Sequence, residues 1–111
     1  TFVSSDTPLE SPHFAFAPLG HGPVLRSVEN SGLAVPVELN RNLSIARRAG
    51  IEVQVGLTQG STDGTAFTFY GAPNAGLSWP GRYSHSPAEI ADLRDVEALV
   101  RLIEAFALAP Q

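Results

Sequence analysis

The spacing of apolar positions divides the chain into helical and extended stretches. After Pro36, Leu39, Leu43 and Ala46 recur at the i, i+4, i+7 interval of one buried helical stripe. Pro36 suits the first helical position, where its missing N–H costs nothing. Arg47 and Arg48 fall in the last turn, where the helix dipole favours cations, and Gly50 follows as a stop. A helix is therefore predicted over 36–49. A second stripe, Val96, Leu99, Val100, Ile103 and Phe106, predicts a helix that begins at Asp92 or Asp95 and ends near 107–109, before Pro110. Arg94, Glu97, Arg101 and Glu104 fall off that stripe.

Extended segments are predicted where β-branched and apolar residues run together: 24–28, the alternating 51–55 and the short apolar 75–79. Phe2-Val3 reads as part of a strand, and 14–17 as a further short one. Between them, Asp6-Thr7-Pro8, Ser11-Pro12, Gly20-His21-Gly22-Pro23 and Glu29-Asn30-Ser31-Gly32 mark loops and turns. Thr62 or Asp63 is placed to cap a short helix through Ala66, Phe67 and Tyr70, stopped by Gly71. From residue 36 onward the order is helix, strand, helix, strand, helix, which predicts an α/β layered sheet with at least partly parallel pairing. Such sheets place ligands beyond the carboxyl ends of their strands, so the loops 56–64 and 80–89 are expected on one edge. Trp79 is expected in the core.

Composition narrows the function classes. With 111 residues the chain is one domain at most, 43% apolar and 16% charged, as in globular proteins. The net charge of −4 and seven scattered arginines give no basic footprint, so nucleic acid is not an expected partner. No run of about 18 apolar residues exists to predict a membrane span. No signal-peptide pattern is visible. Without cysteine, disulfides and thiolate metal sites are excluded, and the cytoplasm is the default compartment. The chain contains no methionine and opens on Thr1-Phe2-Val3, which reads like mid-strand. A C-terminal portion of a longer protein is expected.

Chemistry concentrates in two places. The first is Arg82-Tyr83-Ser84-His85-Ser86-Pro87-Ala88-Glu89. Neutral imidazole is a common zinc ligand, and a histidine in a loop leaving a strand can reach a crevice. The alternative is a loop histidine bonded to backbone. Glu89 is placed either to accept from His85 or to complement the following helix. Arg82 and Tyr83 could contact substrate, or form a salt bridge and a packed ring. The second place is the turn Gly60-Ser61-Thr62-Asp63-Gly64, whose glycines allow close backbone approach to a ligand above a helix start. The turn could equally be a plain strand-to-helix connection. Asp63 could bind an amine or orient a group near His85. His13 and His21 lie in Pro/Gly-rich loops and are expected to face solvent.

Gly60-Ser61-Thr62-Asp63-Gly64, Arg82 to Glu89, and Asp92-Leu93-Arg94-Asp95-Val96-Glu97 together resemble the carboxyl-terminal part of M42-family metallo-aminopeptidases, the glutamyl and tetrahedral aminopeptidases. Asp6-Thr7-Pro8 and Gly20-His21-Gly22-Pro23-Val24 extend the likeness over essentially the whole chain. The resemblance implies an α/β/α catalytic domain, interrupted by a smaller dimerisation domain, with two divalent metals, zinc or cobalt, and a glutamate general base. It implies that His85 is the last metal ligand, that Gly60, Ser61, Thr62, Asp63 and Gly64 line the substrate site, and that Arg82 and Glu89 support the His85 loop. The remaining ligands and the base would precede Thr1, so this portion alone is expected to be inactive. Peptide substrate and a homo-oligomer are the implied partners. The family usually reads Gly-Gly-Thr-Asp-Ala, so Ser61 and Gly64 are departures that bear on substrate preference. A metal-dependent amidase or deacylase, or a non-catalytic assembly module, are the alternative readings.

Overall fold

The computed structural model describes residues 2–4, 6–9, 11, 16–30, 32–58 and 60–110. The elements are β1 (Phe2–Val3), β2 (Val24–Glu29), β3 (Gly32–Leu33), α1 (Pro36–Arg48), β4 (Gln54–Leu57), α2 (Thr65–Thr68), β5 (Leu77–Ser78), β6 (Pro80–Arg82), β7 (Ile90–Ala91) and α3 (Leu93–Leu108). The α/β expectation holds. His13 and the first half of the strand expected at 14–17 lie outside the described residues. Phe16 and Ala17 belong to no strand.

α1 forms where its stripe predicts, and its end explains where the next strand begins. Gly50 takes the left-handed conformation, with φ +65°. Its N–H donates to Arg47 O (3.1 Å), and the N–H of Ile51 donates to Ala46 O (3.0 Å). These two bonds satisfy carbonyls that the helix end would otherwise leave open, and they seat Ile51 against Ala46. Ile51 is therefore spent on the helix terminus. The strand expected at 51–55 is displaced to 54–57, with Gln54 N donating to Pro23 O (2.9 Å).

β2 is the central strand. It pairs parallel with β4 on one side and antiparallel with β3 and β5 on the other. Alternation sends its first two residues to opposite faces. Leu25 joins Ala46, Ile51 and Leu102 in the main core, which brings α1 and α3 onto one face of the sheet. Val24 packs with Phe2 and Ala17 on the other. Burying a side chain of Leu25's size contributes roughly 2 kcal/mol, so this one contact set is a large share of a marginal stability. β3 turns the Glu29–Gly32 segment, read from sequence as a strand stop, into a hairpin back onto β2. A second small sheet joins β1 parallel to β6, and β6 antiparallel to β7. β6 falls inside the 80–89 stretch that the sequence reads as loop, and β7 directly follows it.

α3 is capped by Asp92, whose carboxylate accepts from Arg94 N–H (2.9 Å). The Arg94 side chain, and then its N–H, lower the Asp92 carboxyl to about 2. The buried face of α3 is Asp95, Leu99 and Leu102, with Ala98 and Phe106 packed on the core. Val100 and Ile103, expected inside, are 62% and 51% exposed. The stripe is rotated because Asp95 is drawn inward by backbone donors, which turns Val100 out. Trp79 is half-buried, not core.

Candidate functional site

The Arg82–Glu89 loop is the connection of the β6–β7 hairpin, in which Gly81 faces Ala91 and Arg82 faces Ile90. Two of its residues take left-handed backbone: Tyr83 at φ +59° and His85 at φ +63°. Each costs about 1–2 kcal/mol relative to ordinary backbone, and such residues gather at functional sites. The loop holds them with local bonds. Ser86 N–H donates to Tyr83 O (3.2 Å), and Ser86 Oγ donates to Ala88 O (2.8 Å). Glu89 Oε1 accepts from the backbone N–H of His85 (2.8 Å). Glu89 thus supports His85 through the main chain and not through the ring. The His85 side chain is exposed, and its imidazole has no hydrogen-bond partner among the described residues.

Arg82 forms the salt bridge that was one of its two readings: its Nε donates to Asp6 Oδ1. Asp6 Oδ2 also accepts from Leu19 N–H (2.9 Å). Burial pushes the Asp6 carboxyl up, but the Arg82 hydrogen bond, the Leu19 N–H and the charges of Arg82 and His21 outweigh it and hold it below its ordinary 3.8. The loop base is thereby fastened to the residues after β1. Tyr83 is 45% exposed and is not a packed ring. His21 is exposed beside Glu52, as expected.

The 60–64 turn leaves β4 at the carboxyl end of β2, where Gly60 O accepts from Asn30 N–H (3.1 Å). Neither Thr62 nor Asp63 caps α2. The cap position is Gly64, with no side-chain bond, and α2 is a single turn of four residues. A helix that short rises about 6 Å, too little to carry the chain back along a strand or to hold an anion at its start. The chain instead turns straight into β5, which runs antiparallel to β2 with Ser78 opposite Val24. It then passes through Trp79 into β6, which belongs to the second small sheet. The two marked loops, expected on one edge, therefore leave strands of different sheets, the first following β4 and the second joining β6 to β7.

Thr62 is used differently. Its Oγ1 donates to Glu29 Oε1 (2.9 Å), and Asn74 Nδ2 donates to both Glu29 Oε1 (3.2 Å) and Thr62 Oγ1 (3.0 Å). Arg26 pairs with the other Glu29 oxygen at 3.4 Å, and its Nε donates to Ser78 Oγ (2.9 Å). The side chains of Arg26 and Glu29 are 9% and 7% exposed. They floor a cleft of about 350 Å³ walled by Leu33, Val35, Thr65 and Asn74. Sequence reading missed this group. Alternation would separate residues 26 and 29. An extra residue in β2 between Arg26 and Val28, which pair with successive Gly56 and Leu57, brings them together.

Among the described residues no three His, Asp or Glu side chains converge as a metal cage. His85 nevertheless suits one place in such a cage, because its ring is accessible, has no hydrogen-bond partner among the described residues, and sits on a backbone fixed by Glu89. Among the described residues no helix is long and apolar enough to cross a membrane.

A family model of M42 glutamyl aminopeptidases matches residues 1–102. Over 84 residues the chain is 34% identical to the Escherichia coli K12 protein named "Putative aminopeptidase SgcX", covering 76% of this chain and 20% of that one. Among solved structures it is similar to the TET1 peptidase of Pyrococcus horikoshii, described as assembling into a tetrahedron or a large octahedral shell. There the TM-score is 0.82 and the identity 37%, over 98% of this chain and 31% of the other. An aminopeptidase of the archaeon Desulfurococcus kamchatkensis gives 0.84 at 32% identity, over 94% of this chain and 31% of the other. The chain spans a third or less of the length of these relatives. By its family match and by the likeness of its fold, the chain belongs to the M42 glutamyl aminopeptidase family.

Proposed function

We propose that this chain is the part of an aminopeptidase catalytic domain that delivers the last ligand, His85, to a pair of divalent metal ions, zinc or cobalt. The observation that carries the reading is the state of His85. It is a left-handed residue clamped by Glu89 through its backbone, with its imidazole exposed and without a hydrogen-bond partner among the described residues. Left-handed backbone of this kind gathers at functional sites, and an accessible ring on a fixed main chain is free to take a metal. A metal held there by His85 and donors from elsewhere in the protein would supply Lewis acidity toward a peptide carbonyl and toward water.

The work of this chain's own residues is positional. Glu89 fixes the His85 backbone, Arg82 ties the loop base to Asp6, and β1, β6 and β7 form the rigid frame beneath. The other donors and the general base belong to the rest of the catalytic domain, so the 111 residues alone do not hydrolyse peptide. Gly60, Ser61, Thr62, Asp63 and Gly64 are proposed to meet the substrate, with Ser61 exposed at the tip and setting preference. A homo-oligomer completes the reading, in keeping with the shells described for the TET1 relative.

The test is a substrate comparison on the protein that carries all the donors. Amino-acid p-nitroanilides should be cleaved, and the activity should be lost on chelation and restored by zinc or cobalt. Cleavage of N-acyl compounds in their place would move the protein to the amidases, and absence of any bound metal would remove it from catalysis.

A further inference from the structure

The buried group beneath the 60–64 turn is more than packing. We infer that Glu29 is a positioning residue that fixes this turn through Thr62, and that Gly64 and Asn74 are a matched pair required for it to do so. The inference rests on the substrate role proposed for the turn. Glu29 offers one oxygen to Thr62 and Asn74 and the other to Arg26, so its carboxylate joins the turn to β2 and to the segment before β5. Thr62 is the turn residue that reaches inward, while Gly60, Ser61 and Asp63 stay exposed. Holding Thr62 therefore sets how the exposed residues are presented. Asn74 closes a triangle by donating to both Glu29 and Thr62. It reaches them only because residue 64 has no side chain: a Cβ there would lie 2.5 Å from Asn74 Oδ1. A side chain at 64 would oblige the Asn74 amide to move away from the place where it bonds Glu29 and Thr62.

Glu29→Gln tests the carboxylate. An amide presents its carbonyl to one side only, so it either abandons Thr62 and Asn74 or sets its NH2 against Arg26. In the protein that carries all the metal donors, Glu29→Gln should raise KM about five-fold or more while kcat and metal content stay near the parent values, as expected when an interaction that serves binding is lost. Gly64→Ala should give the same split. Asn74→Ser, which removes the amide that bonds Glu29 and Thr62, should give it too, and the double variant should be no worse than either alone. In the same protein, Glu29→Gln should speed hydrogen exchange at the amides of 60–66 and leave α1 protected. Ser61→Phe alters the exposed tip without touching the buried group. If it moves KM while Glu29→Gln and Gly64→Ala do not, the positioning role is wrong. If Ser61→Phe also leaves KM unchanged, the substrate role of the turn fails and the inference falls with it.

Discussion

The carboxylate of Asp95 and the backbone N–H of Gly22 are joined by a buried 2.8 Å hydrogen bond across 73 positions of sequence. The other carboxylate oxygen accepts from Gly20 N–H at 2.7 Å. One acid on the first turn of α3 thus closes the Gly-rich turn that leads into β2. Gly22 is held at φ +86°, and a Cβ on it would lie 2.1 Å from Glu52 O. Gly50 is also left-handed, but nothing lies within 4 Å of its missing Cβ.

The two glycines should therefore respond differently to alanine. Gly50→Ala should cost about 1 kcal/mol, the backbone penalty alone. Gly22→Ala adds a main-chain collision and should cost at least about 3 kcal/mol, or prevent folding. Asp95→Ala, which leaves two backbone donors without partners, should cost about 2–4 kcal/mol. Urea denaturation midpoints measure all three.

α3 offers a test of which face is inside. Leu102→Ala should destabilise by about 2–5 kcal/mol, because it opens a cavity between α1, α3 and Leu25. Val100→Thr, on the exposed side, should stay within about 0.5 kcal/mol of the parent. Thermal unfolding separates this arrangement from the one read off the apolar spacing, which would make Val100 the costly position.

Much of the scaffold was legible because it is local. Pro36, Arg47, Arg48 and Gly50 mark the ends of α1, and the run at 24–28 marks β2. What was not legible depends on distant partners. Asp92 and Asp95 look alike as helix-start acids, and only the folded chain shows that Asp92 caps while Asp95 serves residues 20 and 22. The direction of β5 turns on α2 being four residues long, and a short apolar stretch carries no direction. The Arg26–Glu29 pair depends on an extra residue in β2 that no period reveals. His85 was singled out by its motif, but its left-handed backbone, and Glu89 bonding to the main chain, come from the closing of the β6–β7 hairpin.

The Asp6–Arg82 bond predicts an acid limb. The Asp6 pKa is depressed in the folded chain, so its contribution is full above the unfolded value near 3.8 and is lost as pH falls through the lower folded value. Asp6→Asn should lower stability at pH 7 by roughly 1–2 kcal/mol. The gap between variant and parent should narrow below pH 4. Denaturation series at pH 7 and pH 3 give the comparison, and a gap that widens in acid would contradict the sign.

Glu89→Ala frees the His85 backbone without touching the ring. Metal at the His85 position should bind about ten-fold more weakly, as when other outer supports of a ligand are removed, while the fold is retained. Metal titration followed by calorimetry, with circular dichroism as the fold control, would detect this. Unchanged affinity would mean that the Glu89 contact serves only the loop.

The most direct measurement is metal content in a His85→Ala variant of the protein that carries all the donors. The account predicts loss of about half the bound metal and a rate reduced by at least about a hundred-fold, with the fold intact. Full metal content with an unchanged rate would contradict it.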